Sequence, residues 1–530
     1  MKHQSDHHLE AIWKGAMILT VAGILVKVLS AAYRVPFQNI VGDVGFYIYQ
    51  QVYPFYGVAI ILSTYGFPVV ISKLIAEHPE VNKTEAARKI GTISFAFLLL
   101  LGGLLFSCLY LGADALAGMM GDSKLSQLVR IVAFSFLLMP FLSVGRGIFQ
   151  GSGEMTPTAA SQVGEQLIRV CTILVLAYYL VEHGHSLYEV GAGAMVGSVG
   201  GGLAAVAVLF LFYHRYQAKA KRQKKPGVYF STRSIVRVLM LQGFTICISS
   251  LLLVLFQMVD SFSVYAYLVK SGTSPDEAKL LKGLYDRGQP LIQLGTVVAT
   301  AFSLSLVPYI TRAKAQGSFR EMKDKIMISI RVSFAIGAAA SVGLAWLIKP
   351  VNTMLFSNGN GSGVLLVLGL SILFCSIALT ASAILQGLGH AYLPAFYVLA
   401  GVLGKIVLNF AFIPGSQTSG AAFSTLLASS VVAVGLLFEI KRKTGITILE
   451  KAYIYPLLVS IGLMSAALAV LLEGSHGLVG SSRLLASAQS LVGVMLGGIV
   501  FLFVLIKNNY FTKTELSFLP LGSKLSKLIK

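Results

Sequence analysis

Charge is what this sequence has least of. Asp, Glu, Lys and Arg together make up 12% of its 530 residues, about half the share of a soluble domain. Cysteine is as scarce. Cys108, Cys171, Cys247 and Cys375 are the four present, each inside an apolar stretch and none at paired spacing. That excludes a disulfide framework and a thiolate metal site, and it predicts ordinary helix-packing roles for all four. The histidines lack ligand spacing too: His3, His7 and His8 lie in a polar tail, His183 and His185 in a short loop. There is no P-loop, no paired carboxylates and no Ser/His/Asp arrangement, so P-loop ATP hydrolysis and a recognisable enzyme site are excluded. No metal and no cofactor is expected.

What is present is hydrophobic. Apolar residues are 55% of the chain and the mean hydropathy is +0.77. A membrane helix needs about 20 mostly apolar residues. Spans are predicted at roughly 11–33, 44–72, 89–111, 125–147, 157–181, 187–213, 234–268, 288–311, 326–348, 362–386, 392–413, 418–440, 453–472 and 485–506. The fold class is therefore all-α, a polytopic membrane protein with 14 transmembrane helices. The stretch 234–268 is too long for one straight span and is expected to protrude. The first span has no small-residue cleavage site before Arg34 and is read as a retained helix.

The net charge of +20 does not point to nucleic acid, because most of the Lys and Arg fall in alternate loops. That bias predicts both termini in the cytoplasm. Arg215, Lys219, Lys221, Arg222, Lys224 and Lys225 form the longest basic loop, read as a topology determinant touching anionic lipid. Arg146 is counted among the same loop cations.

Internal repetition is the second signal. Gln150-Gly151-Ser152-Gly153, followed by Pro157, is echoed by Gln386-Gly387-Leu388-Gly389, followed by Pro394. Phe67-Pro68 with Ser72-Lys73 is echoed by Val307-Pro308 with Thr311-Arg312. In the first pair glycine suits a tight turn and proline the start of the next helix. The expected division is two pseudo-symmetric six-helix bundles, 1–213 and 234–440, joined by a basic linker 214–233. An extra helix pair at 453–506 and a basic tail 507–530 follow. The glycine group Gly191, Gly193, Gly197, Gly200, Gly201 and Gly202 predicts close helix packing.

Charges inside spans are costly and mark cavities or partners. Lys27, Ser30 and Arg34 share one helical face at i, i+3 and i+7. Lys27 is read as cavity-facing; Arg34 either faces the cavity or snorkels to the interface. Glu165 and Arg169, at i and i+4, are read first as a structural pair. Asp260 is either half of an ion pair, with Lys27 as the symmetry-related partner, or a charge gate or cation site. Lys405, with Asn409 at i+4 and no carboxylate close in sequence, is an anion-site candidate. Arg287, beside Asp286 before the eighth span, is either a fork for phosphate oxygens or an exposed loop residue.

Several motifs carry a family resemblance. They are Lys27-Val28-Leu29-Ser30-Ala31-Ala32-Tyr33-Arg34, Gly42-Asp43-Val44-Gly45-Phe46-Tyr47, Tyr53-Pro54-Phe55, Gly66-Phe67-Pro68, the two Gln-Gly-x-Gly turns, and Leu284-Tyr285-Asp286-Arg287 leading to Pro308. Together, over essentially the whole chain, they resemble the polysaccharide-transporter branch of the multidrug/oligosaccharidyl-lipid/polysaccharide flippase superfamily, including its stage V sporulation and lipid II flippase members. The resemblance implies two bundles around a basic cavity, alternating access, and an undecaprenyl-linked oligosaccharide as cargo in the bacterial plasma membrane. Cell-wall precursor is the first candidate. It implies Lys27 and Arg287 as headgroup contacts; the reading of the buried charges adds Arg34 and Lys405 to that set, with Asp260, Glu165 and Arg169 as gating or ion-pair candidates. It implies membrane lipids and cell-wall synthesis proteins as partners, no nucleic acid, and coupling to a monovalent cation or the membrane potential. The second-helix arginines of lipid II flippases have no counterpart in Tyr53-Pro54-Phe55-Tyr56-Gly57. A cation-coupled multidrug exporter and a non-transporting scaffold of a wall-synthesis complex stay open as alternatives.

Overall fold

The computed structural model describes residues 2–77, 83–220, 231–447, 451–475, 482–511 and 515. Lys221, Arg222, Lys224 and Lys225 of the basic linker, and nearly all of the tail after residue 511, lie outside the described residues. The element order is α1 (Lys2–Ala32), α2 (Arg34–Ile61), a π-helical turn (Leu62–Gly66), α3 (Phe67–Ala76), α4 (Lys83–Leu111), α5 (Ala113–Met119), α6 (Ser126–Gly151), α7 (Thr156–Glu182) and α8 (Leu187–Ala220). Then come α9 (Thr232–Val238), a second π-helical turn (Leu239–Gly243), α10 (Phe244–Ser250), α11 (Leu252–Lys270), α12 (Pro275–Asp286), α13 (Gly288–Ala315), α14 (Phe319–Phe356), α15 (Ser362–Gly387), α16 (Tyr392–Thr444), α17 (Lys451–Ser475) and α18 (Arg483–Lys507). No strand occurs among the described residues.

Twelve of the described helical stretches are long and apolar enough to cross a membrane, and two are too long for one crossing: Met17–Ala76 with 60 residues and Tyr392–Thr444 with 53. At 1.5 Å per residue each would run about 80–90 Å against a hydrocarbon core of about 30 Å. Each is broken where a crossing ends. α1 runs into α2 through Tyr33, whose dihedrals stay helical. The break comes at Gly42, at φ 69° and ψ −175°, a conformation that needs glycine. In α16 it comes at Gln417, at φ 49°. With two crossings each, the described helices account for fourteen spans, the number read from the sequence. The expected overlong span 234–268 is instead divided, by the π turn and a break at Leu251, into α9, α10 and α11.

The duplicated turn is reproduced in detail. Gly153 N–H donates to Gln150 O and Glu154 N–H to Phe149 O; Gly389 N–H donates to Gln386 O and His390 N–H to Leu385 O. Gly153 and Gly389 take φ 84° and 81°. The preceding glycines serve contact: a Cβ on Gly151 would lie 2.7 Å from Ile75 Cβ, and one on Gly387 3.0 Å from Val307 Cγ1. The weaker echo is thereby explained. The helix after Pro68 lies against the first turn as the helix around Pro308 lies against the second.

Contacts divide the chain into two compact units: 1–286 with 394–414, and 287–393 with 415–530. These are not the repeat bundles; α11, α12 and the first half of α16 group with the N-terminal helices. Cys247 and Cys375 are buried, whereas Cys108 and Cys171 are exposed, so the latter two do not fill the packing role expected of them.

Candidate functional site

In the first unit the sequence places an unusual aromatic run on α2. Phe37, Phe46, Tyr47, Tyr49, Tyr53 and Tyr56 are all buried. Against it lies the polar face of α7, where Ser161, Glu165 and Arg169 recur at i, i+4 and i+8. The glycine stripe of α8 allows the approach that buries this face. A Cβ on Gly201 would fall 2.6 Å from Glu165 O and 2.8 Å from Arg169 Cβ.

Three fully buried arginines meet there. Arg146, near the end of α6, donates through Nη2 to Glu165 Oε2 at 2.6 Å, through Nε to Ser161 Oγ at 3.1 Å, and through Nη1 to Thr64 Oγ1 at 2.9 Å and Ser63 O at 3.2 Å. The last two acceptors belong to the π turn. Arg169 donates through Nη2 to the hydroxyls of Tyr33 (2.7 Å) and Tyr49 (3.0 Å), and through Nε to Ser198 Oγ at 3.3 Å. Its guanidinium also lies over the Tyr56 ring at 4.3 Å. Arg34 is different. It has no exposure, and none of its three nitrogens makes a hydrogen bond. Its guanidinium lies over the face of Tyr53, at 4.3 Å, with Tyr33 and Tyr49 also near it. Among the described residues Glu165 is the one carboxylate hydrogen-bonded to these three cations; Asp286, which also acts on Arg34 through space, is already paired with Lys282, so the positive charge is in excess. Burying a guanidinium without acceptors is expensive, and a cation–π contact recovers only about 0.5–2 kcal/mol. Such a cluster favours an anion arriving beside Arg34.

These contacts settle how the sequence candidates pair. Glu165 and Arg169 do not pair with each other: Glu165 holds Arg146, and Arg169 turns to the tyrosines. The carboxylate leans back across the Gln-Gly-x-Gly hairpin, where α6 and α7 run antiparallel and Arg146 faces Ser161. Arg146, read as a loop cation, is a buried member of the site. Lys405 is not an isolated cation. It lies 2.7 Å from Asp260 Oδ2, which also accepts from Tyr285 Oη at 2.7 Å, while Asn409 Nδ2 donates to Asp260 Oδ1 at 3.1 Å. Asp260 therefore pairs with Lys405 and not with Lys27. Lys282 and Asp286 form a second neutral pair, 2.6 Å apart. Lys27 is half-buried on α1, with no ion-pair partner among the described residues.

Arg287 belongs to the second unit and is fully buried, which excludes the exposed-loop reading. Its Nη1 donates to Asn352 Oδ1 at 3.1 Å and Asn358 Oδ1 at 2.9 Å, and its guanidinium lies 5.1 Å from the centre of the Phe356 ring.

Comparison with known proteins agrees over the whole length. A family model described as polysaccharide biosynthesis protein matches residues 12–314, and a second, MatE, matches 285–411. The chain is 46% identical to the uncharacterized membrane protein YabM of Bacillus subtilis (strain 168) over 98% of its own length and 97% of the relative's. It is 25% identical to the lipid II flippase MurJ of the same organism, covering 82% and 83% of the two chains. A solved structure of lipid II flippase MurJ in an inward closed conformation superposes with a TM-score of 0.65 at 15% identity, covering 92% of this chain and 98% of that one. At that identity the superposition speaks for the fold.

Proposed function

Because the chain belongs to the polysaccharide biosynthesis protein family, within the multidrug/oligosaccharidyl-lipid/polysaccharide superfamily of membrane transporters and flippases, we propose that it carries an undecaprenyl-linked oligosaccharide across the bacterial plasma membrane. The cargo we favour is a cell-wall precursor such as lipid II, moved by alternating access with both termini in the cytoplasm. The observation that carries this reading is Arg34, a buried guanidinium with no hydrogen-bond partner beside a cluster holding excess positive charge. A pyrophosphate headgroup supplies what that cluster lacks: concentrated negative charge and several acceptor oxygens for a planar donor fork. In a low-dielectric site this attraction is strong. Lys27 and Arg287 are the further headgroup contacts we assign, from each unit separately.

Lys405 is reassigned. Its charge is already met by Asp260, so we give the pair a gating role, as an ion pair whose opening would respond to membrane potential or to a competing cation. The drug-exporter reading needs an open acidic site. Glu165 and Asp260, the two buried carboxylates it would use, are held by Arg146 and Lys405 at 2.6 and 2.7 Å.

The test is complementation of cells depleted of their lipid II flippase, paired with a flipping assay in vesicles. Rescue by the wild-type chain, lost in Arg34→Gln with the protein still inserted, is the expected result. Failure of a stable, inserted wild-type chain to rescue would overturn lipid II as cargo. Partner loss with flipping intact would favour the scaffold reading.

A further inference from the structure

A cavity in the first unit lies away from the arginine cluster. It is a cleft of about 360 Å³ between α4, α6 and α8. Each helix contributes a window of the same length to its lining: 88–95, 141–148 and 206–213. Two turns of helix rise about 10 Å, so the cleft is a slot of that length lying along the helices. Its two ends differ. Phe95 and Phe141, in edge contact with ring centroids 5.0 Å apart, mark the deep end. Arg88 and Tyr213 mark the other. Both sit where their helices leave the apolar run, Arg88 just before Ile90 and Tyr213 just before His214-Arg215, which is the level of a membrane–water interface. The floor between is apolar: Val144, Ile148, Val206 and Leu209.

We propose that this slot binds one acyl chain of an anionic phospholipid, with the lipid phosphate on Arg88. Two observations choose the occupant. The wall is too apolar for a sugar headgroup, and two of its lining side chains, Phe141 and Phe210, are exposed. Arg88 is exposed and has no acidic partner among the described residues, so one cation is available, matching the single charge of a phosphodiester. A pyrophosphate would call for more than one. Basic pockets between helices at the interface hold lipid headgroups by this chemistry. The site is independent of the proposed transport role, since none of its lining residues belongs to the arginine cluster.

Native mass spectrometry of the full chain in detergent tests it, with phosphatidylglycerol, phosphatidylcholine of matched acyl chains, glycerol 3-phosphate and undecaprenyl pyrophosphate as probes. The wild type should retain phosphatidylglycerol about tenfold more strongly than phosphatidylcholine. Arg88→Gln should abolish that preference, and Val206→Trp, which fills the slot, should reduce retention of both lipids. Thr92→Phe narrows the slot from α4 and stands in if Val206→Trp does not fold. Equal retention of both lipids by the wild type would overturn the proposal, as would unchanged binding in the variants. Competition by glycerol 3-phosphate would overturn it in favour of a soluble phosphate, and stronger retention of a prenyl pyrophosphate in favour of the cargo lipid.

Discussion

Two buried polar clusters in the first unit differ in their sums. Around Asp260, every strong charge has an opposite: Lys405 and Asp260 cancel, and Tyr285 and Asn409 fill the carboxylate's remaining acceptor positions. Around Arg169, three guanidinium groups gather, of which Arg146 takes Glu165, Arg169 takes tyrosine hydroxyls, and Arg34 lies over the Tyr53 ring without a hydrogen bond. A closed cluster of the first kind holds helices in place. An open one of the second kind holds its charge for something else. Burial alone would not have separated them, since Lys405 and Arg34 are both fully buried.

The comparison can be broken most decisively at its neutral half. Lys405→Met strands the Asp260 carboxylate and should cost about 3–5 kcal/mol, read as loss of folded protein and a lower melting temperature in detergent. The double variant with Asp260→Leu should regain most of it; a double variant as unstable as the single would show that the pair is not the main tie. Next in size is Glu165→Gln, which removes the one anion from the arginine cluster. It should destabilise by about 1.5–3 kcal/mol, the range for a charged hydrogen bond, and an unchanged melting temperature would mean Arg146 is held by its neutral acceptors.

Arg34→Gln should sharpen the contrast by separating stability from transport. No hydrogen bond is lost, so melting should hold or rise, while flipping in vesicles falls at least about tenfold, near 1.4 kcal/mol of binding or barrier. A fall in melting comparable with Lys405→Met would make Arg34 structural. The smallest effect belongs to Tyr53. Replacing it by Leu should cost about 0.5–2 kcal/mol and Tyr53→Phe almost nothing; equal losses would assign the effect to the hydroxyl and not to the ring.

Much of the fold was legible because membrane helices and glycine turns are local. The fourteen spans follow from runs of apolar residues, and the two Gln-Gly-x-Gly turns from residue types that only a left-handed position and a tight helix contact demand. The pairings were less legible. Arg146 and Glu165 are 19 residues apart across a turn, and Lys405 and Asp260 are 145 apart, distances at which sequence spacing says nothing about contact. One signal was available for Arg146: an antiparallel hairpin with its turn at 152–155 places residues equally far from the turn side by side, and Ser161 is its counterpart. The tyrosines of α2 were visible as a motif, but their use as a cage for cations depends on which helix packs against them.

The π turn at Leu62–Gly66 does more than supply the Ser63 carbonyl to Arg146. Gly66 and Gly243, one in each π turn, are both tightly covered: a Cβ would lie 2.0 Å from Cys247 Sγ at the first and 2.7 Å from Phe67 Cε1 at the second. A regular α-helix carries one phase from end to end, about 100° per residue. Where a π turn interrupts it, the stripe before and the stripe after can be set independently. The tyrosine face of α2 can therefore be tuned to an incoming anion without rotating Ile71 and Ile75 away from Gly147 and Gly151. Removing one residue from 62–66 would restore a continuous α-helical phase and swing the stripe after the turn relative to the tyrosine face before it.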